Sequence, residues 1–435
     1  MKSLPEFSAR DRLLILAPHP DDEALATGAL IQRALAAGAK ICVVFATDGD
    51  NNPWPQRVED RKWRITAEDR AQWGARRRGE AWQSLKILGV PPDAVRFLGL
   101  PDQGITDMLL TGDARLFAAF TAIIREVAPT RVVLPSPNDA HPDHSALYVS
   151  AQLVLTRIGA PRDKISELQY IVHPGRKKVP RNQVAIRLSA AEKQRKREAI
   201  LCHETQMLLS EKRFTAYAKS TEIFQVPSPA GSRPINHPIR RAWIKNGALN
   251  LRLDFGKTGL SLRRARLFVV IESGIDRSAR WVLPMPATTG CVRLCDTATG
   301  QPQRRATVRL RGAHAVVRIP VASHLPASRV FVKFERRLLF YDRAGWCEVR
   351  ATPSANPEPE PAAAVFPPER SGAKSKVLAL LAALLFLHPA LLDHSPRHRH
   401  HSKKPATEPH FTSAFGSALP GARPSAHLMP PRMCA

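Results

Sequence analysis

The chain has 435 residues, only six of which are cysteine, and carries a formal net charge of +27 at pH 7. This length allows two domains of ordinary size, and the few, unevenly spaced cysteines exclude a disulfide framework and favour a reducing compartment. The excess of Lys and Arg favours an anionic partner, such as nucleic acid, an anionic membrane surface or a phosphate-bearing substrate; frequent use of Arg by a GC-rich genome is an equally good explanation.

The first half of the chain alternates short apolar runs with helical patterns. Strands are predicted at 13–17, 41–45, 95–98 and 132–134, and helices at 24–37, 76–88, 116–127 and 145–158. This order is typical of an α/β fold, in which a mostly parallel sheet has helices on both faces. In such sheets, ligands bind at the carboxyl ends of the strands.

From about residue 235 the apolar pattern changes to a period of two. The runs that show it are 249–255, 307–311, 316–319 and 330–334. They predict a C-terminal antiparallel β-domain over residues 235–350. It contains no catalytic constellation, so we expect it to have a binding or packing role.

The remaining segments differ in composition from both domains. Residues 351–376 are rich in Pro, Ala and Glu and are predicted to be a linker. The apolar segment 377–392 is shorter than the roughly 20 residues that a bilayer span requires. Because basic residues flank it, it is interpreted either as a membrane contact or as a helix that is docked on the protein or frayed. Residues 393–435 are predicted to be a disordered basic tail.

Two clusters of His and Asp follow predicted strands. His19-Pro20-Asp21-Asp22-Glu23 comes directly after the run 13–17, and His141-Pro142-Asp143-His144 comes after the run 132–134. Their position predicts a divalent metal site at one edge of the sheet. Hydrolytic zinc sites use three His or carboxylate ligands and leave one position open.

The spacing within these clusters suggests a role for each side chain. We expect His19, Asp22 and His144 to be the ligands and Asp21 to be the base that takes a proton from water. His141 would then stabilise the oxyanion or protonate the leaving amine. The structural alternative is that Asp22 only caps a helix and that the histidines are turn residues.

The two motifs resemble those of the PIG-L/LmbE-type N-acetylglucosaminyl deacetylases. The resemblance covers roughly residues 10–225 and extends to short matches at 47–49, 77–80, 98–102 and 196–206. It implies a Rossmann-like fold over residues 1–230 and a zinc-dependent N-deacetylase with the ligands and base named above. It also implies that Arg77 and Asp102 contact the sugar. His203 is expected on the surface of a helix, with a part in the site as the alternative.

The segment 48–74 is predicted to be a long, polar, irregular loop at the edge of the site. It holds Trp54, Trp63 and Trp73 among several arginines. Indole rings suit sugar faces and guanidinium groups suit phosphates, so Trp54 is a candidate sugar contact, and a phosphate- or lipid-linked amino sugar is favoured over a free one. The alternative is a charged surface helix over 59–78 whose Trp side chains pack inward.

Together these patterns predict a Zn²⁺-dependent hydrolase that removes the N-acetyl group from an amino sugar in an envelope glycan, glycolipid or related conjugate. An amidase of thiol conjugates or secondary metabolites is one alternative. A basic, non-catalytic binding protein is another, which the intact His/Asp clusters disfavour, as they disfavour nucleic acid as a partner. The N-terminus has no signal-peptide pattern, so we expect a cytoplasmic protein, with association with the inner face of the membrane left open.

Overall fold

The computed structural model describes residues 2–161, 164–174, 182–227, 237–256, 265–273, 278–321, 329–335 and 345–349. The predicted linker, the apolar segment 377–392 and the basic tail lie outside these residues. Among the residues that are described, no helix is long and apolar enough to cross a membrane.

The first part of the chain folds into helices packed on sheet A. The strands of sheet A are β1 Lys2–Ser3, β2 Arg12–Ala17, β3 Lys40–Thr47, β4 Val95–Leu100, β5 Arg131–Pro135, β6 Ser166–Tyr170, β7 Gln183–Arg187 and β8 Thr221–Gln225. The helices are α1 Asp22–Ala36, α2 Pro53–Asp60, α3 Ala67–Leu88, α4 Ile105–Thr111, α5 Ala114–Val127, α6 Pro142–Arg157, α7 Ala190–Leu201 and α8 Glu204–Thr215.

Sheet A has the strand order β1-β7-β8-β6-β5-β2-β3-β4. Its segment β6-β5-β2-β3-β4 is parallel throughout, whereas β8 pairs antiparallel with β6 and β7. Along the chain this parallel segment has the order 3-2-1-4-5 of a doubly wound Rossmann-like sheet, which confirms the predicted fold class. The strand order reverses between β2 and β5, where such folds bind their ligands.

Both faces of sheet A are covered. Leu13 and Ile15 of β2 belong to a core with α1, α3 and α7, while Leu14 and Leu16 belong to a core with α4, α5 and α6. Successive side chains of a strand point to opposite faces, so a strand that is buried on both sides is apolar throughout. This is why the short apolar runs of the sequence located these strands correctly.

The second part of the chain forms sheet B, whose pairings are all antiparallel, in the order β17-β16-β11-β12-β13-β14-β15-β10-β9. Its strands are β9 Ile239–Lys245, β10 Ala248–Asp254, β11 Arg266–Glu272, β12 Ser278–Pro284, β13 Gly290–Asp296, β14 Pro302–Arg311, β15 His314–Pro320, β16 Arg329–Glu335 and β17 Cys347–Val349. Alternate residues of these strands enclose a separate apolar core. The predicted antiparallel β-structure is therefore confirmed.

Sheet B packs directly on the α/β part. Phe268 and Phe331 join the core that covers α6, and Trp346 lies in the same cluster. The Arg280 Nε–H donates to the Leu109 carbonyl over 2.9 Å. The Trp346 N–H donates to the carbonyl of Pro137 over 3.1 Å, in the loop that leads to His141. Sheet B thus contacts one of the two loops that carry the His/Asp clusters.

The predicted irregular loop over 48–74 is wrong, because most of it is helical. The Asn52 side chain caps α2, and Thr66 with Asp69 forms a capping box at the start of α3, nine residues before the predicted start of that helix. The residues of α2 and of the first turns of α3 are mostly exposed and polar, so they show no apolar period that would predict a helix. The capping signal at Thr66 was nevertheless present in the sequence.

Candidate metal centre

The first His/Asp cluster forms the turn between β2 and α1. The backbone N–H of His19 donates to Asp22 Oδ2 over 2.9 Å, and the same oxygen lies 3.3 Å from His19 Nδ1. The Pro18 carbonyl accepts from both the N–H and the hydroxyl of Thr47, which ties the turn to the end of β3. Asp21, rather than Asp22, is the residue that precedes the helix, so the capping alternative for Asp22 is wrong.

The second cluster forms the turn between β5 and α6. The His141 Nδ1 accepts a hydrogen bond from the backbone N–H of Asp143, so His141 caps α6 at this turn. His144 lies one turn into the helix with its Nε2 3.3 Å from Asp22 Oδ2. The structure therefore brings the two clusters together, although they are 122 residues apart along the chain.

Two of the distances among His19, Asp22 and His144 fit a metal ion. Among the described residues, the sets whose donor atoms all lie within 4.8 Å of one another are His19 with His141 and His144, Asp22 with His144 and His173, and His19 with Asp102 and Asp143. Around a tetrahedral ion with bonds of about 2.0–2.1 Å, neighbouring donor atoms lie about 3.3–3.4 Å apart. The distance from Asp22 Oδ2 to each of the two imidazole nitrogens matches this value. Both nitrogens of His144 are buried and make no hydrogen bond among the described residues. Acidic neighbours favour a cation here: burial opposes the charged form of His144, but Asp139 and Asp22 raise its pKa to about 10.

Carboxylates also lie near the second ring nitrogen of His19 and of His144. His19 Nε2 lies 3.2 Å from Asp102 Oδ1 and 3.5 Å from Asp143 Oδ2, and His144 Nδ1 lies 3.2 Å from Asp139 Oδ2. Metal-binding histidines commonly face a carboxylate with their second nitrogen, which fixes the ring. Asp102, expected to contact the sugar, is buried here against His19, and its role at the substrate stays a prediction.

Asp21 has an unusual backbone conformation, with φ of +141°. Arg77 holds it: one guanidinium nitrogen, Nη2, donates to the Pro20 carbonyl over 2.6 Å and to Asp21 Oδ2 over 3.2 Å. Its other terminal nitrogen donates to the Gly49 carbonyl. Arg77 is only 4% exposed, so its contacts are with the protein, and the predicted sugar contact stays a prediction. Burial raises the pKa of Asp21 to about 6, although Arg77 opposes the shift.

His203 contradicts the expectation of a surface histidine, because it is 1% exposed. Its Nε2 lies 2.9 Å from Glu23 Oε1. The same Glu23 carboxylate accepts hydrogen bonds from the Ser84 hydroxyl and from the backbone N–H of Asp21. His203 therefore belongs to the polar network that holds the Asp21 turn, which supports the alternative of a part in the site.

His141 and His173 complete a group of imidazole rings around the candidate ligands. The ring centroids of His141 and His19 are 4.6 Å apart, and those of His173 and His144 are 5.0 Å apart. Burial and the neighbouring histidines hold the pKa of His141 well below its usual value. Burial also lowers the pKa of His173 to about 4, although Asp139 opposes this shift.

Neither His173 nor Asp139 was predicted as a site residue from the sequence. His173 follows β6, the parallel neighbour of β5, and therefore lies at the same edge of the sheet. Asp139 precedes His141 by two residues, and its carboxylate accepts from the backbone N–H groups of His141, Val172 and His173. Both residues follow strand ends, which is the signal that could have found them.

Trp54 lies on α2 and is 52% exposed. The Arg57 guanidinium lies 4.9 Å from the ring centroids of both Trp54 and Trp63, and Trp63 is 76% exposed. Trp73 is instead buried, so the inward-packing alternative over 59–78 is right for Trp73 and wrong for Trp63. Asn51, three residues before Trp54, donates its backbone N–H to Asp102, which connects this surface to the centre.

Comparisons with known proteins agree with this geometry. Residues 14–154 match the family model described as PIG-L: GlcNAc-PI de-N-acetylase. The 1D-myo-inositol 2-acetamido-2-deoxy-alpha-D-glucopyranoside deacetylase of Mycobacterium bovis (strain BCG / Pasteur 1173P2) is 37% identical over 152 residues, 32% of this chain and 48% of the relative. The chain thus spans about half the length of the curated relatives it matches.

Solved structures are more distant. The N,N'-diacetylchitobiose deacetylase from Pyrococcus horikoshii is 18% identical with a TM-score of 0.37, over 50% of this chain and 84% of that chain. A deacetylase of the A40926 pseudoaglycone is 21% identical with a TM-score of 0.39, over 50% and 97% of the two chains. Residues 14–154, which match the PIG-L family model, contain every site residue predicted from the sequence.

Proposed function

We propose that the protein is a zinc-dependent hydrolase that removes the N-acetyl group from an N-acetylglucosamine-type amino sugar. The observation that carries this proposal is the position of Asp22 Oδ2, 3.3 Å from a nitrogen of His19 and 3.3 Å from a nitrogen of His144. The mycobacterial relative named above is a deacetylase of an acetamido sugar by its name, which supports this class of substrate.

The chemistry of the donor atoms suits zinc, with two imidazoles and one carboxylate. His19, Asp22 and His144 would hold the ion. When bound, zinc would polarise an amide carbonyl and lower the pKa of a water molecule to about 7. The buried imidazole nitrogens that lack hydrogen bonds are the observation in favour of an ion at this place.

Asp21 is the proposed general base. Its pKa of about 6 leaves the carboxylate ionised at neutral pH. Because this pKa lies close to pH 7, the carboxylate can accept and return a proton efficiently. Arg77 holds Asp21 Oδ2 through one hydrogen bond, which leaves Oδ1 as the oxygen to receive the proton. The positive φ of Asp21 fixes the direction of this side chain, and strain of this kind is common at functional sites.

His141 is the proposed donor to the oxyanion. Its depressed pKa keeps the imidazole neutral, and its Nδ1 accepts the N–H of Asp143. The proton of the neutral ring must therefore be on Nε2, which can donate to a developing negative charge. Between the two roles expected from the sequence, this tautomer favours stabilisation of the oxyanion over protonation of the leaving amine.

The surface around Trp54 supports the choice of a sugar conjugate. Two exposed indoles share the Arg57 guanidinium, and further exposed arginines (Arg61, Arg64 and Arg70) follow along the same segment. We propose that this surface receives the part of the conjugate beyond the acetylated sugar, with a phosphate or an anionic lipid headgroup as the favoured chemistry. This proposal also places the source of the substrate in the envelope and the protein in the cytoplasm, near the inner face of the membrane. It includes a domain boundary at 230–235.

The test is metal content and amine release, measured on the same samples of the full chain. We expect about one zinc per chain, lost together with amine release from N-acetylglucosamine substrates in His144→Ala. Asp21→Asn should keep its zinc and lose turnover. His314→Ala, on β15 of sheet B, is the matched control and should keep both.

The outcomes separate the alternatives. Absence of zinc in the wild-type protein, even after zinc is supplied, would refute the metal centre and favour a binding protein. Zinc with amine release only from acylated thiol conjugates would replace the sugar by that substrate class. Turnover that survives in Asp21→Asn would refute the assignment of the base.

A further inference from the structure

An ion pair lies buried beneath α1, apart from the proposed chemistry. It joins Lys196 of α7 to Glu222 of β8, with Nζ 2.6 Å from Oε1. Lys196 is 1% exposed, and its methylene chain packs against α1. Burial of two charges is unfavourable unless hydrogen bonds satisfy them, so the other partners of this pair show what it holds.

Those partners are backbone groups inside α1. Lys196 Nζ donates to the Leu25 carbonyl over 2.9 Å. The Glu222 carboxylate accepts the N–H groups of Ala29 and Leu30, at 2.6 Å and 3.0 Å. In an uninterrupted α-helix the Ala29 N–H donates to the Leu25 carbonyl. Here the Lys196 ammonium binds the Leu25 carbonyl and the Glu222 carboxylate binds the Ala29 N–H, so the ion pair contacts both members of one such backbone pair.

Gly28 provides the space for the Lys196 side chain. A Cβ at residue 28 would lie 3.0 Å from Cγ and 3.3 Å from Cδ of Lys196, which is closer than ordinary packing. Glycine in a helix interior is unfavourable by itself. The absence of a side chain at this point lets the Lys196 chain pass close to the backbone of α1 on its way to Leu25.

We infer that the Lys196–Glu222 pair is a positioning device that sets the direction of the first turn of α1, and with it the metal ligand Asp22. The pair binds a carbonyl three residues after Asp22 and the N–H groups of the next turn. It therefore binds backbone groups of two successive turns of α1. This inference rests on the proposed metal centre, since it concerns the same ligand.

The test is zinc affinity of the full chain, measured by competition with a chelator, together with urea unfolding of the zinc-free protein. The main variant is Lys196→Met with Glu222→Gln, which removes both charges and leaves neither partner buried alone. We expect its zinc affinity to fall roughly tenfold to a hundredfold, as for other residues that orient metal ligands. Arg33→Met with Glu192→Gln is the matched control, because that pair also joins α1 to α7 but lies at the surface near the far end of α1.

A second variant guards against misfolding of the first. Gly28→Ala keeps both charges, improves helix propensity and displaces only the Lys196 side chain, so we expect a smaller loss of zinc affinity in the same direction. Unchanged zinc affinity in every folded variant at these three positions would overturn the inference and leave the pair as a structural tie. A wild-type protein that binds no zinc would refute the metal centre itself, and the inference with it. A wild-type protein that binds zinc, with variants that bind it equally well, would refute only the inference.

Discussion

Asp139 was missed by the sequence analysis, and its replacement by asparagine gives a sharp test of the centre. The carboxylate accepts the N–H of His141 on Oδ1 and the N–H groups of Val172 and His173 on Oδ2. The same Oδ2 lies 3.2 Å from His144 Nδ1. Asp139 thus holds both a candidate ligand and the candidate oxyanion donor, and asparagine changes its charge with almost no change of shape.

Two separate losses follow from this geometry. An asparagine can present its oxygen to Val172 and His173 only by turning its NH₂ group toward the N–H of His141, where two donors then meet. One buried charge-assisted hydrogen bond is lost, which is about 1.5–3 kcal/mol in the free energy of unfolding. The ring of His144 also loses the carboxylate behind it, and such losses weaken metal binding roughly tenfold to a hundredfold, or about 1.4–2.8 kcal/mol.

Urea unfolding of the zinc-free protein measures the first loss, and chelator competition measures the second. Asp107→Asn is the matched control, since Asp107 is exposed on α4 and should change neither quantity. Zinc affinity equal to that of the wild-type protein in Asp139→Asn would refute the reasoning that Asp139 orients His144. A fall in zinc affinity without a loss of stability would show that the three backbone hydrogen bonds survive the substitution.

Two further predictions concern the base and the stability of α7. Gly49→Ala should lower kcat for amine release at least tenfold without loss of zinc. Gly49 has φ of +63°, and a Cβ there would overlap the Arg77 guanidinium that holds Asp21. An unchanged kcat would contradict the role of Arg77. The hydrogen bond with Arg33 lowers the pKa of Glu192 to about 2, so this carboxylate stabilises the fold fully above its unfolded pKa of about 4.5, and its contribution is lost as the pH falls toward 2. The difference in thermal midpoint between wild type and Glu192→Gln should therefore narrow from pH 7 to pH 3.5, and a constant difference would show that the ion pair is not its cause.

The sequence predicted β2, β3 and β5 of sheet A well because they are buried on both faces, and it also located β4. It did not predict β1, β6, β7 and β8. Runs such as 41–45 and 132–134 are apolar at every position, and polar turns follow them. Helix α3 was predicted nine residues short, since the buried residues of its first turns, Asp69, Trp73 and Gly74, do not form an apolar period. The capping residue Thr66 was the better signal of its beginning, because it depends on hydrogen bonding and not on burial.

The site was predicted to the extent that it depends on strand ends. His19 and His144 could be placed together because β2 and β5 are neighbours at the point where the strand order reverses. The placement of His203 could not be predicted in the same way. Its burial depends on the packing of α8 against the turn that bears Glu23, and one histidine at the start of a helix contains no sign of which neighbour covers it.

The net charge of +27 gave no information about the centre, and the structure explains why. The residues around the candidate ligands are mostly acidic, with Asp21, Asp102, Asp139 and Asp143 in addition to Asp22. Arg77 is the cation that contacts this group among the described residues, and it neutralises only part of the charge. A cation is therefore attracted locally even though the whole chain repels it, because interactions across a few ångströms in a buried site exceed the screened field of distant surface charges. The basic surface would bind the anionic part of a substrate, whereas the acidic centre would bind the metal ion. A basic surface and an acidic centre are therefore compatible with one hydrolase.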